Sequence, residues 1–243
     1  MLVSTKAIVL HAVPFSDNSL IINFYTEEFG KLTCILKAVR SKNFKNKLVS
    51  IQALFILNLV IYYRKNREIH IIKDFEPSIN IQSIPFEITK SSIAIFLAEV
   101  VHRTIKEHEK NLELFNFLFH SIEYLDLMPI QPSSFHLLFL LRFAKFLGIY
   151  PMNNYSESMP FFNLEMGQFN HIFIHESNTM NREMSQKLHE LMKIMEFEST
   201  KLIFNSNTDK NVMIRSLVDY FKMHLDGIGN IKSLDVLSQV FSS

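Results

Sequence analysis

Apolar and polar positions alternate with a period of two over the first 80 residues, and beyond them the period lengthens to that of a helix. Residues 4–13 (STKAIVLHAV) form the first alternating run, and Pro14 with Ser16, Asp17 and Asn18 supplies turn chemistry before a second run, Leu20 to Thr26. Glu27 to Gly30 turns the chain again. Lys31 to Val39 then places Leu32, Cys34 and Leu36 on one face and Lys31, Thr33, Ile35 and Lys37 on the other. A polar loop, Arg40 to Lys47, precedes a β-rich run from Ser50 to Tyr63; RKNR at 64–67 turns it, and Glu68 to Glu76 returns as a fifth strand. Five strands in so short a stretch favour closure, which removes sheet edges. A five-stranded OB-like barrel leads; another small barrel, or a five-stranded sheet packed on the rest of the chain, satisfies the same strand count.

After Pro77 and Pro85, Ile93, Phe96, Leu97, Val100, Val101 and Ile105 fall at helical spacing behind Ser91 and Ser92 as capping candidates. Asn111 can cap a second helix through Leu125. Phe135 to Leu147, apolar nearly all round and ended by Gly148, predicts a central helix whose charges are Arg142 and Lys145. Their stems either lie along the core edge with the heads in water, or the pair recognises an anion beside an apolar groove. From Tyr150 to Asn178 the helical period stops, and Phe161–Leu164 with Phe169–His175 reads as an inserted ribbon carrying His171 and His175 on one strand face. Helical stripes resume around Met184–Met195 and Ile214–Leu225, and a terminal helix spans Ser233–Phe241. The predicted class is α+β: an N-terminal five-stranded OB-like barrel (residues 1–80), then an all-helical domain (81–243) with a small β-ribbon inserted at about 151–178.

Composition sharpens this picture through the distribution of charge. Hydrophobic content of 48% with 20% charged residues excludes a disordered chain. The net charge of +1 conceals an asymmetry: residues 1–80 hold 11 basic and 6 acidic residues, the remainder 14 and 18. The stretch from Lys31 to Arg67 contains Lys31, Lys37, Arg40, Lys42, Lys45, Lys47, Arg64, Lys65 and Arg67 without one Asp or Glu, which points to a polyanionic partner. Cations neutralise phosphates and release counterions, and Phe44 in the same loop can stack on an unpaired base.

Other chemistry is thinly represented. The single cysteine, Cys34, excludes an intramolecular disulfide and a multi-cysteine zinc site, and its place in an alternating run reads as a small buried residue. No Walker loop, H-E-x-x-H, G-x-S-x-G or dinucleotide fingerprint is present, so the chain is predicted not to be an enzyme and to need no cofactor or metal. The N-terminus lacks signal-peptide order and the longest apolar run, Ile51–Tyr63, is too short for a bilayer, so a cytoplasmic protein is expected. The competing readings are a helical scaffold whose basic barrel binds RNA or another acidic partner, and a hydrolase with dispersed catalytic residues.

Four blocks in order, KAIVLHAVPFSDNSLIINFYTEEFGKLTCILKAVRSK, FLAEVVHRTIKEHEKNLELFNFLFHSIEYLD, FLLRFAKFLGIYP and YFKMHLDGIGNIKSLDVL, resemble the RecO family of bacterial DNA-repair proteins over nearly the whole chain. The resemblance implies an OB domain, a helical domain and a zinc-ribbon-like insertion. It also implies binding of single- and double-stranded DNA, annealing of complementary strands and, with RecR, loading of RecA onto DNA coated by single-strand-binding protein, at the nucleoid. Many members carry four cysteines in the insertion; residues 151–180 here carry none, so the ribbon is expected to be held by Phe161, Phe162, Phe169, Ile172 and Phe173. The resemblance further implies that the helical part receives the acidic, apolar C-terminal tail of single-strand-binding protein, with Arg103, Arg142 and Lys145 as candidate cations.

Overall fold

Five strands, β1 (Leu2–Ser16), β2 (Ser19–Thr26), β3 (Gly30–Lys37), β4 (Ile56–Tyr62) and β5 (Ile69–Pro77), close into an OB-like barrel in the order β1-β2-β3-β5-β4 in the computed structural model. The structure describes residues 1–41, 46–128, 134–195, 197, 203–204 and 206–242. Inward positions of the alternation meet at the barrel centre, where Ala7, Ile22, Phe24, Cys34, Leu57 and Ile61 are fully buried. The neighbours pair antiparallel except β3 and β5, which run parallel over Thr33–Ile35 and Ile69–Ile71 and close the cylinder.

Strand limits depart from the sequence expectation where tertiary pairing decides them. β1 runs on through Pro14 to Ser16, and the turn is confined to Asp17 and Asn18. Beyond Val9, which still exchanges backbone hydrogen bonds with Leu54 and Phe55, that strand keeps a strand partner on one side only, the edge setting in which proline is tolerated. β4 starts at Ile56 rather than at Ser50, because Leu48–Ser50 forms a short 3-10 turn.

Helix α1 (Ile88–Thr104) begins before Ser91 and Ser92, whose hydroxyls donate back to the Ile88 carbonyl inside the first turn instead of capping it. Helix α2 (Leu112–Leu127) is capped as expected, Asn111 Oδ1 accepting from the Leu114 amide at 2.9 Å. Between them, residues 105–110 run along the start of β3: the Lys31 amide donates to the Glu107 carbonyl at 3.2 Å. Gly30, at φ +61°, sits so close to the Glu109 backbone that a Cβ would lie 2.3 Å from its carbonyl oxygen, so only glycine fits.

One buried clasp ties the connection after β5 to the end of α2. Asp126 accepts from the backbone amides of Gln82, Ser83 and Ile84 at 2.7, 2.7 and 2.9 Å. Lys90, 1% exposed, donates to Ser83 Oγ and the Met128 carbonyl at 2.7 Å and to the Asp126 carbonyl at 3.1 Å. The chain separates into two compact units, Met1–Met128 and Pro129–Ser243, so α1 and α2 belong with the barrel.

The second unit is built on α3 (Phe135–Phe146), with nine of its residues buried, together with α4 (Arg182–Lys193), α5 (Asn207–His224) and α6 (Ser233–Ser242). Its ribbon pairs β6 (Phe161–Asn163) with β7 (Gln168–Asn170). Phe162 and Phe169 are fully buried and meet edge to face at 5.0 Å, and Phe161 meets Phe173 at 5.6 Å. Asn154 acts as a clamp, accepting from the Phe169 amide at 2.8 Å and donating to its carbonyl at 3.0 Å. Ile172 does not contribute as expected: it is 55% exposed, because β7 ends at Asn170. His171 and His175 therefore do not share a strand face.

The clasp predicts a specific stability loss. Burial alone would raise the Asp126 carboxyl, but the three amides and the Ser83 hydroxyl outweigh it and hold the group below its ordinary range. Asp126→Ala is expected to lower urea stability by about 3 kcal/mol, since it strands three amides. In the unsubstituted protein that contribution is intact above the ordinary carboxylate range and fades as pH falls through the depressed folded value.

Candidate nucleic-acid interface

β3, β4 and the segments that follow each of them carry the acid-free stretch, and the parallel register of β3 with β5 divides its cations between two ends of the barrel. Thr33 stands level with Ile69, Lys37 lies four residues further along β3, and Arg67 lies two residues before Ile69. Six residues at ~3.3 Å each separate the two groups by about 20 Å. Lys37 and Arg40 are at one end, beside the β1–β2 turn, where Asn18 Oδ1 accepts from the Arg40 amide at 3.0 Å and the Asn18 carbonyl from the Val39 amide at 3.3 Å. Arg64, Lys65 and Arg67 are at the other, in the β4–β5 turn. All five are exposed, and among the described residues no ion pair engages them. Lys47 pairs with Asp74 at 2.5 Å, which holds that carboxyl below its ordinary range. Lys42, Phe44 and Lys45 lie outside the described residues.

Lys31 is engaged in a different way. Its ammonium donates to the carbonyls of His102 and Ile105 at 2.5 and 2.9 Å, completing the C-terminal end of α1, where a cation also complements the helix dipole. Burial, then the nearby Lys106, lowers its pKa. The His102 ring stacks on His11 of β1 at 5.3 Å, and its buried Nδ1 has no hydrogen-bond partner among the described residues. Burial first, then the cations of Lys31, His11 and Arg103 against an opposing Glu99, brings His102 down to about 4. This joint fixes α1 against the barrel, while Lys37 and Arg40 stay exposed.

Two exposed aromatics flank the cationic ends and were not picked out by sequence patterning. Phe15, 64% exposed, sits at the tip of the β1–β2 arm, where the sequence reads as turn. Tyr62, 48% exposed, points outward from β4, a parity that the buried Leu57, Leu59 and Ile61 could have revealed. Behind it Tyr63 is packed between Phe29 and His70, with centroids 4.5 and 4.7 Å away.

Residues 1–79 match the family profile described as Recombination protein O N terminal, and residues 85–158 that described as Recombination protein O C terminal. A DNA repair protein RecO of Phocaeicola vulgatus is 34% identical over 242 residues, covering 100% of both chains. The chain belongs to the RecO family. A RecO of Bacteroides fragilis is likewise 34% identical over 99% of this chain and 100% of its own, and one of Flavobacterium johnsoniae 32% over 100% of both.

The three cations named for a protein tail belong to different units. Arg103, in the first unit, pairs with Glu99 at 3.0 Å. In the second, the Arg142 guanidinium lies over the Phe197 ring at 4.3 Å and donates to the Met195 carbonyl, while the Lys145 ammonium lies 4.7 Å from the Tyr150 ring centre. Both cations thus rest against aromatic rings, an arrangement that cation–π attraction favours. Cys34 is fully buried and its thiol is pushed up by that burial.

The barrel–helix joint yields a separable prediction. Lys31→Ala should cost about 1–2 kcal/mol in urea unfolding, because two helix-end carbonyls lose a charged donor. Because folding lowers the His102 pKa, its share of stability is fully present above 6.5 and is lost as pH falls toward about 4. His102→Phe should flatten that part of the pH profile, leaving the contribution of His136, whose burial in the second unit lowers it to about 3.

Proposed function

We propose that this chain is a recombination mediator that binds single- and double-stranded DNA through its barrel, anneals complementary strands and helps RecR load RecA onto DNA coated by single-strand-binding protein, in the cytoplasm at the nucleoid. The supporting observation is the set of exposed cations, Lys37, Arg40, Arg64, Lys65 and Arg67, free of ion pairs among the described residues on a closed OB-like barrel. Relatives aligned end to end bear the name DNA repair protein RecO, which supports DNA as the polyanion. Lys47 and, on the sequence alone, Lys42, Phe44 and Lys45 are proposed as further contacts. Lys31 supports it by setting the barrel against α1. No helix among the described residues is long and apolar enough to cross a membrane. The chemistry is binding and positioning, without a covalent step.

Phosphate contacts make the reading quantitative. About six of these cations on a single strand give a slope of about −4 for log K against log salt, measured by fluorescence anisotropy. A flat dependence, or no acceleration of pairing between labelled complementary oligonucleotides, would replace the mediator by a scaffold with another acidic partner. For the tail of single-strand-binding protein, Arg142 and Lys145 on their aromatic platforms are the proposed cations of the second unit, and Arg103 is a separate candidate on the first. Arg142→Glu should weaken tail-peptide binding severalfold, and unchanged affinity removes Arg142 from that role.

A further inference from the structure

At the β4–β5 end of the barrel lies a cleft of about 400 Å³, lined by Leu2, Tyr62, Arg64, Arg67, Ile69 and Ile71 among others. Its floor is a row across three outer strand faces, since Leu2 pairs with Tyr62 and Tyr62 with Ile71. Outward positions on a barrel ordinarily carry polar groups, yet Leu2, Tyr62, Ile69 and Ile71 are 49, 48, 44 and 39% exposed. The wall behind is rigid, because Tyr63 is stacked between Phe29 and His70. Among the described residues no carboxylate lines the cleft; Glu68 is in the turn but is not one of the lining residues.

We infer that this cleft is a second single-strand site, taking an unpaired nucleotide segment with a base against Tyr62 and its phosphates on Arg64 and Arg67, so that one chain holds two strands at opposite ends of its barrel. The inference rests on the nucleic-acid reading above and adds to it. An apolar, aromatic floor beside unpaired guanidiniums matches a nucleotide with its bases free, since a duplex keeps its base faces stacked inside. A volume of this size holds a small ligand unit such as one nucleotide. The separation of about 20 Å from Lys37 and Arg40 leaves room for a different strand at each end. Holding both strands on one rigid body raises the local concentration of each for the other, which is what annealing requires.

Two double variants, Arg64→Glu with Arg67→Glu and Lys37→Glu with Arg40→Glu, separate the claims. Each should still bind a single-stranded oligonucleotide, but one equivalent per chain instead of two, and each should lose annealing. Tyr62→Ala should weaken single-strand binding at least about fivefold, leave duplex binding unchanged, and be rescued by Tyr62→Phe. If the Arg64/Arg67 variant anneals normally while the Lys37/Arg40 variant does not, the second site is wrong and the mediator reading stands. If neither variant changes binding, the nucleic-acid reading itself falls. Hydrogen exchange over residues 62–71 slowed by an acidic apolar peptide, but not by an oligonucleotide, would assign the cleft to a protein partner and overturn the inference.

Discussion

The parallel contact between β3 and β5 is the constraint on which the first unit depends. It is short, three residues on each strand, and parallel pairing is slightly weaker per residue than antiparallel. Yet it turns a five-stranded sheet into a cylinder, leaving the core side chains no exit to solvent. The same contact also fixes where charge goes. An acid-free run of sequence becomes two cationic ends because β5 must start level with the middle of β3.

Closure leaves the beginning of β3 without a strand partner on that side, and residues 105–110 fill the gap. Gly30 lets the Glu109 backbone approach, and the Lys31 amide and side chain take up carbonyls from this segment and from the end of α1. The helix is consequently part of the barrel's edge protection, which explains why the compact unit extends to Met128 although the change from strand to helix comes near residue 80. Asp126 and Lys90 secure the other end of this arrangement. Their buried charges are sustainable because each is surrounded by hydrogen-bond partners; an isolated charge there would be costly.

The ribbon of the second unit shows another way of meeting a small element's need for staples. A segment without cysteine gains order from two buried phenylalanines, the Asn154 clamp, and the Ser185 hydroxyl, which accepts from the Phe162 amide at 2.8 Å. These contacts attach the ribbon to α4, so its stability is shared with the helical core and does not depend on a local cross-link.

Periodicity by itself determined the five strands, the helical remainder and the inward face of β3, because alternation and the 3.6-residue repeat are local consequences of backbone geometry. Asn111 was legible as a cap for the same reason. Composition determined that the front of the chain is basic, and the ordered blocks carried the family resemblance. Only the tertiary structure decided that Lys31 serves a helix end while Lys37 faces outward, since the two share one strand face and differ only in what packs nearby. It also decided that β1 continues through Pro14, that Lys90 is buried, and that Arg40 and Arg67 lie at different ends of the barrel. Each of these depends on pairing between residues distant in sequence, where register and long-range packing, rather than local pattern, set the lowest free energy.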